Sequence, residues 1–265
     1  MMERPPRYHV ARYRIGADVR VGWIDDDRLV RLSAPPWERG VETGERDFLA
    51  DARLLTPVRP GKIVCVGLNY RAHIAESASV APDATPSEPI LFLKPPSALL
   101  DLEEPIRYPP GVTRLDPEAE LAVVLGQRAR RVSREDAPRF VAGVTALNDV
   151  SARNFQKQDG QWTRAKGFDT FAPLGPWITV GLSPERLSIV CRVNGEERQR
   201  GNTADLLFPV ADLVSFVSHV MTLEPGDVIA TGTPAGVQPI QIGDRVEVEV
   251  EGVGVLRNPV AAPDA

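Results

Sequence analysis

Short stretches in which apolar and polar residues alternate are the dominant pattern along this chain, and that period-two spacing marks half-buried strands. Tyr8 to Ile15, Val19 to Ile24 and Arg28 to Leu32 read as strands, with Asp25-Asp26-Asp27 as the polar turn of a hairpin. Asp47 to Leu54 is expected as one short helix. Lys62 to Leu68 and Ile90 to Lys94 are denser apolar runs that read as buried strands. Between them, Asn69 is placed to cap a short helix carrying His73 and Glu76, and Ser77 to Ser87 reads as a mobile polar loop. A helix joined to such a loop is suited to act as a lid.

The run Asp116-Pro117-Glu118-Ala119-Glu120-Leu121-Ala122-Val123-Val124-Leu125 reads as a strand that carries two carboxylates into apolar surroundings. Side chains two apart share a face, so Glu118 and Glu120 point the same way. Ser133-Arg134-Glu135-Asp136 resembles a helix start, and Pro138 keeps that helix short. Gln156 to Asp169 is too long and too polar for an idle turn, and loops of that kind line sites. Strands return at Pro176 to Val180 and Ser188 to Val193, the second followed by an Asn194-Gly195 hairpin turn. Val210, Leu213, Val214, Val217, Val220 and Met221 repeat at helical spacing, which predicts an amphipathic helix. Glu224-Pro225-Gly226-Asp227 fits a type II turn before the short strand Val228 to Ala230. Arg245 to Glu251 alternates strictly and turns at Gly252 into Val253 to Leu256, a hairpin with one wet face.

Many strands and few helices predict a β-rich α+β protein, not a doubly wound one. The stiff segment Thr56-Pro57-Val58-Arg59-Pro60-Gly61 is the expected boundary between a small N-terminal α+β domain, residues 1–56, and a main domain, residues 60–260. With 43% hydrophobic and 25% charged residues in 265, the composition is that of an ordinary globular protein. A net charge of -5 without any basic block argues against nucleic acid or an anionic membrane as partner. Cys65 and Cys191 stand apart without CxxC spacing, which fits buried thiols in a reducing cytoplasm.

The chemistry lies in a few polar side chains. Glu118, Glu120 and Asp149 offer hard oxygen donors with no His or Cys nearby, which favours Mg²⁺, Mn²⁺ or Ca²⁺ over zinc or copper. The bland alternative is an alternating strand with a wet end, as Glu247 and Glu249 illustrate. His73 and Glu76, three apart on one helical face, are either a solvated pair or a dyad in which Glu76 orients an imidazole that takes a proton. Lys166 is a surface lysine or a clamp for an anionic substrate. Thr231-Gly232-Thr233-Pro234-Ala235-Gly236 is a tight turn or a backbone cradle for a carboxylate.

Seven segments in this order resemble the fumarylacetoacetate hydrolase family over about residues 60–260. They are Val66-Gly67-Leu68-Asn69-Tyr70, Phe92-Leu93-Lys94-Pro95, Glu118-Ala119-Glu120-Leu121-Ala122-Val123-Val124, Asn148-Asp149-Val150-Ser151-Ala152-Arg153, Lys166-Gly167-Phe168-Asp169-Thr170, Gly175-Pro176-Trp177 and Thr231-Gly232-Thr233-Pro234-Ala235-Gly236. The similar branch holds 2-hydroxyhepta-2,4-diene-1,7-dioate isomerases and 5-oxopent-3-ene-1,2,5-tricarboxylate decarboxylases, with acylpyruvate hydrolases as near relatives. The resemblance implies a mixed β-sandwich roll, a homodimer, and a divalent cation held by Glu118, Glu120 and Asp149. It also implies His73 and Glu76 on a lid, with Arg153, Gln156, Lys166 and Thr233 lining the pocket. The implied substrate is a small 2-oxo or enol dicarboxylate, whose adjacent oxygens chelate a cation that stabilises the enolate. Isomerase or decarboxylase chemistry in aromatic-acid degradation is the first expectation. C–C hydrolysis of an acylpyruvate, or oxaloacetate decarboxylation, is the second, and a non-catalytic metabolite-binding protein on the same fold is the third.

Overall fold

The computed structural model describes residues 5–76 and 85–263. Its centre is the strand Ala119–Leu125, every residue of which is buried. An apolar run of that kind needs cover on both faces, and a second sheet provides it on one. The larger sheet runs, neighbour to neighbour, through Tyr8–Ile15, Ala172–Val180, Val141–Asn148, Ala119–Leu125, Val228–Ala230, Ile63–Gly67 and Ile90–Lys94. Only the pairing of Val228–Ala230 with Ile63–Gly67 along that path is parallel; the rest is antiparallel. The second sheet orders Glu196–Asn202, Ser188–Val193, Arg245–Val250, Gly254–Ala261 and Ile106–Arg107. Val246, Val248 and Val250 face inward from it and join Leu121, Val123 and Ile189 in one core, while Arg245, Glu247 and Glu249 face water. The result is a β-rich sandwich of two mixed sheets.

The N-terminal block extends the larger sheet, because Tyr8–Ile15 pairs with the end of Ala172–Val180 in the register Tyr8↔Val180 and Val10↔Ile178. Asp18–Asp25 and Arg28–Leu32 form the expected hairpin beside it. The segment expected as a helix over Asp47 to Leu54 is not one. Glu42–Phe48 is a strand, Leu49–Asp51 a single 3₁₀ turn, and Arg53–Leu55 a strand against Tyr8–Ile15. Asp47 is held there by side chains of neighbouring strands, a tertiary constraint that overrides local propensity.

Two further expectations change in detail. Gln156 to Asp169 is not a plain loop: it folds into the helices Arg153–Asp159 and Thr163–Lys166, joined at Gly160. Asn69 does not cap the helix Arg71–Glu76. Its side chain donates to the carbonyls of Phe208 and Thr231 and accepts from the Phe208 amide, tying three segments together. The helix Val210–Val220 forms as expected on Val210, Leu213, Val214 and Val217, but Val220 is exposed at its end. Of the loop expected over Ser77 to Ser87, residues 77–84 lie outside the described residues. Among the described residues no helix is long and apolar enough to cross a membrane.

Candidate active site

The antiparallel register of Ala119–Leu125 on Val141–Asn148 sets Ala119 opposite Asn148. The end of one strand and the turn after the other therefore meet. The Glu118 amide donates to the Asn148 side-chain oxygen (3.0 Å), and its carbonyl accepts from the Asp149 amide (2.8 Å). That double tie presents Glu118, Glu120 and Asp149 together, all buried, each with a carboxylate oxygen within 4.8 Å of the others.

Three cationic side chains pack against this triad. Lys166 Nζ donates to Glu118 Oε2 and to Asp149 Oδ2, both at 2.7 Å. Lys94 Nζ donates to the other Asp149 oxygen at 2.6 Å and to the Val150 carbonyl at 3.1 Å. Arg153 donates to Glu118 and, at 2.8 Å, to the buried Asp116. Glu120 differs, for it accepts the Gly232 amide at 2.7 Å and has no ammonium or guanidinium of any described residue bonded to it. Burial works against ionisation of Glu118, yet Lys166, Arg153 and His73 together outweigh it and hold the carboxyl well below the usual carboxylate range. At Glu120 burial is reinforced by the charges of Asp149 and Glu118, which push its carboxyl well above that range. A buried carboxylate beside two others calls for positive charge. The all-oxygen donor set matches Mg²⁺, Mn²⁺ or Ca²⁺, and the triad fits a divalent cation.

All nine residues singled out in the sequence line one cavity of about 290 Å³: His73, Glu76, Glu118, Glu120, Asp149, Arg153, Gln156, Lys166 and Thr233. His73 is buried on the helix Arg71–Glu76, and burial is the main cause that lowers its pKa and favours neutral imidazole; the nearby Glu118 charge opposes this. Glu76 is exposed at the rim, and its carboxylate accepts the Gly236 amide at 2.8 Å, which fastens the helix to the Thr231-to-Gly236 turn. Gln156 accepts from Arg153 at 2.9 Å. The Thr233 hydroxyl donates to the Ala119 carbonyl (2.9 Å) and accepts from Gln199 (2.8 Å), so its proton is engaged within the protein.

Other contributors were missed in the sequence. Lys94 stood in a quoted motif without a role; an ammonium ending an apolar strand was the signal. Asp116 stood beside Glu118, and its total burial could not be read from one dimension. Trp162 and Phe92 meet edge to face across the cavity wall, their centroids 5.2 Å apart. Gly67 admits that wall: a Cβ there would come within 2.6 Å of the Trp162 ring.

The charges around the cavity are balanced. With Glu120 ionised, as a bound cation would hold it, five carboxylates (Glu76, Asp116, Glu118, Glu120, Asp149) are matched by Arg114, Arg153, Lys157 and Lys166 on the wall and Lys94 behind Asp149. A divalent cation would leave the cavity two positive charges in excess, suited to a dianion.

Fold and site define the class: a β-sandwich with a buried carboxylate centre for a divalent cation. Residues 62–261 match the family model described as fumarylacetoacetate (FAA) hydrolase C-terminal, and the chain belongs to that family. A second model, Rv2993c-like N-terminal, matches residues 9–57. The crystal structure of 5-carboxymethyl-2-hydroxymuconate delta-isomerase from Mycobacterium smegmatis is 42% identical, with a TM-score of 0.89 over 96% of this chain and 99% of that one. The mitochondrial oxaloacetate tautomerase FAHD2A of Bos taurus is 43% identical over 224 residues, 80% of this chain and 70% of the relative. Maleylpyruvate hydrolase from Sphingobium sp. SYK-6, solved with manganese(II) and pyruvate, is 30% identical with a TM-score of 0.77 over 97% of this chain and all of that one.

Proposed function

We propose that the protein is a divalent-cation-dependent isomerase of small 2-oxo or enol dicarboxylates, of the 2-hydroxyhepta-2,4-diene-1,7-dioate type, with decarboxylation of 5-oxopent-3-ene-1,2,5-tricarboxylate as a companion activity in aromatic-acid catabolism. The observation that carries this reading is the buried triad, with Glu120 left without a cationic partner among the described residues, inside a cavity of about 290 Å³. Isomerase and tautomerase relatives at 42% and 43% identity support it. Glu118, Glu120 and Asp149 would hold Mg²⁺ or Mn²⁺, which when bound supplies the Lewis acidity that draws electrons onto the oxygens of a 2-oxo acid.

The protein's own groups do the rest. Lys166 sets a fixed ammonium beside the developing oxyanion. Arg153 and Gln156 orient the substrate carboxylate. The buried imidazole of His73 takes a proton from one carbon and returns it at another, and the charge of Glu76 nearby favours the protonated imidazole formed between those steps. The same imidazole can deprotonate a water, which favours C–C hydrolysis of an acylpyruvate as the second reading. Loss of CO₂ from the tricarboxylate or from oxaloacetate needs no water nucleophile.

Incubation with Mg²⁺ or Mn²⁺ tests the reading. Loss of the dienol absorbance of 2-hydroxyhepta-2,4-diene-1,7-dioate without pyruvate release is expected. Rapid pyruvate plus carboxylate from acylpyruvates would move the protein to the hydrolases. Tight binding without turnover of any of these acids would favour a metabolite-binding role. We further propose a cytoplasmic homodimer, to be tested by light scattering of the eluting protein.

A further inference from the structure

The cations lining the cavity are not equivalent. Arg114 is engaged by Asp116 at 2.9 Å, Arg153 by Asp116 and Glu118, and Lys166 by Glu118 and Asp149. Lys157 also lines the cavity, yet it is exposed and its side chain has no hydrogen bond or ion pair with any described residue. It belongs to the helix Arg153–Asp159, where Arg153, Gln156 and Lys157 occupy positions i, i+3 and i+4 and so share a face. Lys157 thus stands just over one turn, about 6 Å along the axis, beyond Arg153. The triad lies at the buried end of the cavity and Lys157 at the exposed end. Of the other exposed charged lining residues, Glu76 is a carboxylate and repels an anion, and the Arg114 guanidinium is held by Asp116.

We infer that Lys157 is a specificity-determining residue that binds the distal carboxylate of a dicarboxylate substrate. The inference rests on the proposed function, in which the 2-oxo end lies at the triad. A substrate held there can only extend toward the mouth, and the single uncommitted ammonium among the described lining residues waits at that point. A compact charge on a flexible four-carbon stem suits this task, since it can follow carboxylates at slightly different chain lengths. Charge repulsion from Glu76 adds direction, steering the carboxylate to the Lys157 side. A lysine that merely solvates the rim would give no preference for the second charge.

The test compares two probes of equal length that differ only in that charge. 2-Oxoadipate and 2-oxohexanoate are titrated calorimetrically into the Mg²⁺-loaded wild type and into Lys157→Met, Lys157→Arg and Lys157→Glu. The wild type is expected to prefer 2-oxoadipate by about tenfold, the worth of one charge-assisted hydrogen bond. That ratio falls toward one in Lys157→Met, is largely kept in Lys157→Arg, and inverts in Lys157→Glu. A preference that persists unchanged in Lys157→Met overturns the assignment of Lys157 while leaving the proposed function intact. Failure of the loaded wild type to bind either probe overturns the proposed function and this inference with it. Because Lys157 is exposed, the variants are expected to fold, and unchanged melting curves separate lost recognition from lost structure.

Discussion

Asp47 and Glu120 are both buried carboxylates, and their surroundings differ in kind. Asp47 accepts from the Tyr13 hydroxyl at 2.7 Å, from Arg20 at 2.9 Å, and twice from Arg31 at 2.7 Å. A carboxylate offers about four lone-pair sites, so Asp47 is saturated. Its carboxyl is held well below the usual range, chiefly by the Arg31 hydrogen bonds. Glu120 accepts one backbone amide and faces two further carboxylates, which with burial push it the opposite way. A saturated acid fastens strands together. An undersupplied one is poised to receive a cation, and this asymmetry, more than acidity or burial, separates a structural cluster from a functional one.

The sharpest way to break the comparison is to remove each acid in turn. Glu120→Ala, or excess EDTA on the wild type, is expected to reduce turnover by on the order of 10³-fold or more, as expected where Lewis-acid and charge stabilisation are both lost. Calorimetry should show Mg²⁺ binding lost in the same variant. Turnover at the wild-type rate under chelation would sink the reading of the triad. Asp47→Ala should leave Mg²⁺ affinity within twofold, because its partners belong to the N-terminal strands.

The effect of Asp47→Ala falls on stability. Removing one partner from a buried ion network strands the others, at a cost of about 3 kcal/mol. Its pH dependence has a definite sign. The folded pKa of Asp47 lies below its unfolded value near 4, roughly that of a free aspartate, so the unfolded state binds more protons as the solution is acidified. The stabilisation is fully present above the unfolded pKa and is lost as pH falls through the folded one. Urea midpoints of wild type and Asp47→Asn should therefore converge below about pH 4; a gap that widens with acid would contradict the network.

A smaller effect is expected at Lys94, which holds Asp149 from behind. Burial lowers its pKa, while the adjacent Asp149 favours the ammonium. Lys94→Met keeps the volume and removes the hydrogen bond. Groups that orient metal ligands typically change affinity by about 10–100-fold when removed, and the Mg²⁺ dissociation constant should rise within that range. An unchanged constant would mean that Asp149 is positioned by its backbone alone.

Which parts of this were legible in the sequence follows from dimension. Strict alternation, as in Arg245–Val250, reports a strand with one wet face whatever lies around it. Glu118 and Glu120 were visible as a pair for the same reason, since period two sets them on one face. Asp149 was visible as a third oxygen donor, but its approach to Glu120 was not, because that depends on the register across Val141–Asn148. Asp116 was illegible as a site residue, and Lys94 offered only an ammonium at the end of an apolar strand: a polar residue there looks wet until the helices Arg153–Asp159 and Thr163–Lys166 pack beside it. The expected helix at Asp47 failed through the same blindness, for its four donors come from Tyr13, Arg20 and Arg31 on strands distant in sequence.

The smallest expected effect concerns burial without any partner. Cys65 and Cys191 are fully enclosed thiols. Burial pushes Cys191 up to about 12, and Arg192 and Arg198 oppose this only in part. Cys65 is raised too, by burial first and then by the charge of Asp149. At pH 8 a thiol with a pKa near 12 is about one part in 10⁴ thiolate, the form that reacts. Iodoacetamide should therefore leave the native protein unlabelled over an hour and modify two thiols per chain once urea unfolds it, as intact mass will show. Activity before and after native treatment should be the same. Rapid native labelling at either thiol would mean that its strand opens locally far below the global unfolding free energy. For Cys65, on Ile63–Gly67 beside the cavity, such opening would place the mobility in the strand that leads into the His73 helix.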